Sequence, residues 1–116
     1  MSSHPHSKLR AYQFALTFHR QACTIIDRLP PGFAHLSDQL KRASRSICLN
    51  IAEGSASYSR PNKTKYFIIA LASAGECSAA LDLVEIEHGI RPDDLESARS
   101  SLEACSALTV GLIRRG

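Results

Sequence analysis

The chain has 116 residues, enough for one domain with a single core and too few for two ordinary ones. Apolar residues make up 44% and charged residues 22%, a balance that excludes a disordered tail and a membrane protein. The net charge of +3 says little by itself, but its distribution says more: residues 1–66 hold ten basic groups against three acidic ones, residues 67–116 four against eight. That asymmetry fits a protein with one basic face, or one whose copies associate head to tail, and equally a dipole without a role. The opening Met-Ser-Ser-His-Pro-His has no apolar run of the kind a secretion signal carries, and the longest mostly apolar stretch, Tyr66 to Leu81, falls short of the roughly 20 residues of a bilayer span. A cytoplasmic protein without membrane contact is expected.

Four segments show helical periodicity and none a sustained period of two. The first is predicted over about 8–29, with Ser7 as N-cap and Pro30-Pro31-Gly32 as its stop. Two apolar stripes lie side by side on it: Leu9, Tyr12, Leu16, His19, Cys23 and Ile26, then Ala11, Ala15, Phe18, Ala22, Ile25 and Leu29. Together they are wider than one neighbouring helix covers.

The second helix is predicted over about 37–54, capped by Ser37 with Asp38 favourably placed at the N-terminal dipole. Leu40, Ala43, Ile47 and Ile51 form its inner stripe, and Gln39, Arg42, Ser46, Asn50 and Glu53 run beside them. The third is predicted over about 60–88. Ser59 caps it, Pro61 stands in its first turn and Gly89 is placed for a left-handed C-terminal cap. Phe67, Ala70, Ala74, Cys77, Leu81 and Val84 face inward. The fourth, about 92–115, opens on Asp93 and Asp94 and closes on Arg114 and Arg115, with Leu95, Ala98, Leu102, Cys105, Leu108 or Thr109, and Leu112 as its stripe.

The fold class these segments predict is all-α: an antiparallel up-down-up-down four-helix bundle in a single domain spanning residues 1–116. Trp is absent and aromatics make up only 6%, so a core built inside one monomer is thin, and burial against identical copies would add to it.

The stretch Leu36-Ser-Asp-Gln39-Leu40-Lys-Arg42-Ala43-Ser-Arg-Ser46-Ile47-Cys-Leu-Asn50-Ile51-Ala52-Glu53-Gly54 resembles the signature of small bacterial four-helix-bundle proteins first noticed in intervening sequences of 23S ribosomal RNA genes, often labelled S23-like. A second family stretch is matched more loosely by Tyr66 to Glu76, with Tyr66 in place of Phe and Ala72 in place of Gly. Ala72 would hold two helix backbones slightly further apart than glycine does. The resemblance implies an up-down bundle assembling as a homopentameric ring. A related branch, the accessory variability proteins of diversity-generating retroelements, is similar in fold; its members are basic pentamers that bind a reverse transcriptase and nucleic acid. Most members of the wider family have no known activity.

Two residue sets are candidates for function. Gln39, Arg42, Ser46, Asn50 and Glu53, with Ser73 and Glu76 opposite, read as a buried polar network tying helix 2 to helix 3, or as a binding constellation. The basic segment Arg60, Lys63 and Lys65, with Tyr58 for base stacking and with Lys41 and Arg45 extending the face, reads as a nucleic-acid-binding surface, or as an ordinary solvated, lysine-rich helix start. Lys41 and Arg45 are like charges four residues apart, so they call for an anionic partner: a nucleic acid, or a neighbouring subunit's Asp82, Glu85 and Glu87.

Enzyme readings fail. The four cysteines, Cys23, Cys48, Cys77 and Cys105, lack any C-x-x-C spacing and read as reduced and buried rather than as a zinc site. Glu85-x-x-His88 occurs once, where a di-iron bundle needs two such motifs and two further glutamates. No catalytic residue, cofactor, metal or small-molecule substrate is expected. The sequence leads to a non-enzymatic oligomeric scaffold binding RNA, DNA or a nucleic-acid enzyme such as a reverse transcriptase through its basic half; the alternative is a structural or protein-interaction module without nucleic-acid affinity.

Overall fold

The computed structural model describes residues 4–87 and 89–115. A 3-10 turn at Pro5–Lys8 leads into α1 (Arg10–Arg28); a second, Pro31–Phe33, leads directly into α2 (Ala34–Ala56), followed by α3 (Arg60–Ile86) and α4 (Pro92–Arg115). The described residues are all-helical, with these four α-helices and no strands. The long dimension, 43 Å, is close to the roughly 40 Å that a 27-residue helix such as α3 spans.

Each helix runs antiparallel to its neighbours. Cys105 Sγ reaches Ala11 O and Arg28 reaches Asp94, fixing α1 against α4. Ser73 lies opposite Ser46, and Lys63 opposite Gly54, fixing α2 against α3. Arg99 meets Asp82 and Glu85 between α4 and α3.

The start signals divide into one that acts locally as expected and two that do not. The Ser59 hydroxyl accepts the Asn62 amide and Pro61 stands in the first turn of α3, so that helix begins where its cap places it. Ser7 does not cap α1: it lies inside the first 3-10 turn, where its hydroxyl donates to His4 O, and α1 begins after Leu9 with no side-chain cap. Ser37 does not open α2, which begins three residues earlier. Pro31 occupies the first position of a 3-10 turn, where its missing N–H costs nothing, and Ala34 is already α-helical. Proline here starts a helical segment as well as ending the previous one. The expected end of helix 3 at His88 lies outside the described residues; α3 runs to Ile86.

Gly89 does not take the left-handed conformation expected of it. Space is what glycine provides here: a Cβ would come within 2.8 Å of Leu29 Cδ2 and 2.9 Å of Phe33 Cε1, so these side chains would have to shift. Its amide donates to Val84 O at 2.8 Å, which satisfies a carbonyl at the end of α3.

The core consists of inward stripes from all four helices. Phe18, Leu40, Ile47, Ile51, Leu81, Val84 and Leu95 are almost wholly buried, with alanines such as Ala15, Ala22, Ala43, Ala70 and Ala98 between them. Small residues at the contacts let helices approach closely, so few large side chains fill the interior. On α1 the stripe containing Ala11, Ala15, Phe18, Ala22 and Ile25 is buried. The adjoining stripe, from Leu9 to Ile26, is only partly covered.

The helix α3, at 27 residues, is longer than the Tyr66–Leu81 stretch read from the sequence. By length and composition alone it would suffice to cross a bilayer. One of its faces is built into the bundle through Phe67, Ala70, Ala74, Cys77, Leu81 and Val84.

Candidate functional site

The two stretches that carry the family signature lie on opposite sides of one seam between α2 and α3. At its middle, Ser73 Oγ donates to Ser46 Oγ at 2.8 Å, while Asn50 Nδ2 donates to Ser46 O at 2.9 Å and to Ser46 Oγ at 3.0 Å. Ser73 is buried, Ser46 and Asn50 half-buried. Towards one end Arg42 and Glu76 approach only to 3.9 Å, both largely in solvent. Towards the other, Phe67 closes over Gly54, where a Cβ would come within 2.6 Å of the ring. Gln39 and Glu53 are exposed on the rim. The stripe expected as a buried network between the two helices is thus a three-residue polar knot, Ser46–Asn50–Ser73, with exposed polar and charged groups at its margins. Ala72, expected to set a helix–helix spacing, is exposed on the outside of α3 and sets none within the monomer.

The basic candidates do not form one surface. Lys63 is half-buried, and its Nζ donates to Gly54 O at 3.3 Å and Ser55 O at 3.2 Å, capping the negative end of α2. Lys65 lies 5.4 Å from the centroid of the Tyr66 ring, a cation–π contact. Tyr58 is fully exposed at the tip of the α2–α3 connection, beside exposed Arg60. Lys41 and Arg45 are exposed beside Arg42 on the outside of α2, roughly 16–22 Å of helix away from that connection. Two of the three carboxylates expected to receive them from a neighbouring subunit are engaged within the chain: Arg99 donates to Glu85 at 2.6 Å and to Asp82 at 3.0 Å. The bond to Glu85, followed by that to Asp82, outweighs partial burial and holds the Arg99 guanidinium above its ordinary pKa.

The antiparallel fold converts the asymmetry along the sequence into one from end to end. The start of α1, the end of α2, the start of α3 and the end of α4 meet at one end of the bundle. That end gathers Lys8, Arg10, Arg60, Lys63, Lys65, Arg114 and Arg115, with Glu53 as its side-chain carboxylate among the described residues. The opposite end gathers Asp27, Asp38, Asp82, Glu85, Glu87, Asp93, Asp94 and Glu96 against Arg28, Arg91 and Arg99. Arg114 and Arg115 belong to the basic end by folding alone. Their signal in the sequence is that helix 4 opens on acids and closes on bases.

Three cysteines are embedded in the core. Burial pushes the Cys48 thiol up to about 11, with Cys105 adding to it; burial, then the neighbouring Glu76 charge, pushes Cys77 up to about 12; burial pushes Cys105 up to about 11. Among the described residues no group of three or more His, Cys, Asp or Glu side chains is arranged to hold a metal ion.

Residues 7–111 match the family described as 23S rRNA-intervening sequence protein. The chain belongs to that family. A solved structure from Bacteroides thetaiotaomicron, described as a protein of unknown function from the S23 ribosomal protein family, superposes with a TM-score of 0.82 at 24% sequence identity, covering 90% of this chain and 95% of that one. At that identity the likeness establishes the shared fold alone. No curated protein matches the chain.

Proposed function

We propose that this member of the S23-like family is a non-enzymatic, self-associating scaffold that binds nucleic-acid phosphates through the basic end of its bundle. The observation that carries the reading is the gathering of seven cations with a single side-chain carboxylate, Glu53, where four helix termini meet. The exposed Tyr58 adds a stacking surface beside them. Self-association is supported by the outer face of α3. Ile68, Ala72, Gly75, Ala79, Leu83 and Ile86 recur at steps of three and four and are all exposed, an apolar stripe a lone monomer leaves in water. A ring would repeat the basic end on each subunit and multiply weak contacts. The five-subunit ring implied by the family resemblance is the stoichiometry to test, and the free cysteines suit a reducing, cytoplasmic setting.

Fluorescence anisotropy with labelled single-stranded RNA and DNA tests the binding. The variant R60E/K65E/R114E is expected to lose about tenfold or more in affinity, and wild-type binding to weaken steeply with salt. Lys63 is left intact because it caps α2. Circular dichroism verifies the fold. Unchanged affinity in the folded variant, or no binding at low salt by a stable oligomer, overturns the nucleic-acid reading in favour of a protein-interaction module. Light scattering gives the subunit count, and a folded monomer at micromolar concentration would remove the scaffold.

A further inference from the structure

The fourth cysteine has surroundings unlike those of the other three. Cys23 is half-buried on α1, one turn beyond His19, and its Sγ lies 3.6 Å from His19 Nε2. On the other side of the ring, His19 Nδ1 is 2.6 Å from Ser44 Oγ of α2. With the Ser44 hydroxyl donating to Lys41 O at 3.1 Å, its oxygen is left to accept from Nδ1, and in that tautomer Nε2 presents its lone pair to the thiol. Ser44 is completely buried and its oxygen is fixed from two sides. A nucleophile, a base and a group that orients the base are therefore in sequence across the α1–α2 contact, an arrangement that activates a thiol. Burial, then Arg45 and Lys41, hold the His19 pKa below its ordinary value, which favours the neutral ring over the imidazolium. The same two cations are exposed beside the site and attract an anionic reactant.

We propose that Cys23 is a nucleophilic thiol, served by His19 as general base and by Ser44 as positioning residue, that forms a mixed disulfide with a small anionic disulfide of the glutathione disulfide class. The Cys23 S–H proton passes to His19 Nε2 as sulfur attacks one sulfur of the reactant. The reactant's S–S bond breaks as the new one forms, and the departing thiolate recovers the proton from His19. One disulfide and one thiol enter; one disulfide and one thiol leave. The site lies in the half of α1 away from the basic end, so it operates independently of nucleic-acid binding.

The test is timed incubation of the full-length protein with glutathione disulfide, followed by peptide mapping by mass spectrometry. The expected result is one glutathione on Cys23, while the shielded Cys48, Cys77 and Cys105 remain thiols. The rate should exceed that of the same cysteine in the urea-unfolded chain. H19Q should slow it by about tenfold or more, and S44A by less. K41E/R45E, which changes only exposed side chains, should slow glutathione disulfide while sparing the uncharged 2-hydroxyethyl disulfide. Modification spread over several cysteines, or a Cys23 no faster folded than unfolded, overturns the proposal without recourse to any variant. A folded H19Q that reacts at the wild-type rate overturns the role of His19, and equal slowing of both disulfides by K41E/R45E overturns the preference for an anionic reactant.

Discussion

The two ends of the bundle are made from the same parts, helix termini joined by short connections, yet they handle charge in opposite ways. At the acidic end carboxylates are drawn into contacts between elements: Arg99 ties Asp82 and Glu85 of α3 to α4, and Arg28 ties α1 to Asp94. At the basic end seven cations gather around Glu53, the side-chain carboxylate among the described residues there. One lysine there is used structurally, Lys63 on the carbonyls that end α2. The contrast separates charge employed in holding helices together from charge left to act outward, a distinction that net charge alone hides.

Both ends are also closed by a glycine beneath an aromatic ring, and this gives the largest expected effect. At Gly54 a Cβ meets buried Phe67, so G54A should cost about 1–3 kcal/mol, the usual range for an overfilled core, read as a shift in urea midpoint. At Gly89 the obstructing Leu29 and Phe33 side chains are half-buried and have room to yield, so G89A should cost less than G54A. Equal costs would mean that the two ends are equally rigid.

Next in size, S73A removes a buried donor and leaves Ser46 served by Asn50 alone. A loss of about 1 kcal/mol is expected, and an unmoved melting temperature would show that the polar knot adds no stability. R99M should cost about 1 kcal/mol or less, because its partners are substantially exposed, and the cost should shrink in high salt.

The smallest effect concerns pH. His19 is held below its ordinary pKa in the folded chain, so the unfolded chain binds more protons as pH falls through about 6.5 towards the folded value. Stability should therefore decline with acidification across that window, and H19Q should flatten this part of the profile of melting temperature against pH.

Sequence reasoning reached what depends on neighbours along the chain. Ser59 and Pro61 act within a single turn, and the period of Phe67, Ala70, Ala74, Cys77, Leu81 and Val84 marks an inner face wherever the other helices stand. It failed where depth or level along the bundle decides. Gln39, Ser46 and Glu53 share one helical face, yet only Ser46 lies deep enough under α3 to be half-covered. Arg60 and Arg45 are close in sequence but stand at different heights, whereas Arg114 is distant in sequence and shares the end with Arg60. His19 and Cys23 were legible as one stripe. Their chemistry was not, because the oriented imidazole depends on Ser44 from another helix.

The contact of Leu29 and Phe33 with Gly89 brings the α1–α2 turn against the segment joining α3 to α4. These two links come from opposite halves of the polypeptide, and their wedged seat makes fraying of one expose the other. Local opening there is therefore a shared event, which staples the first hairpin to the second without a disulfide.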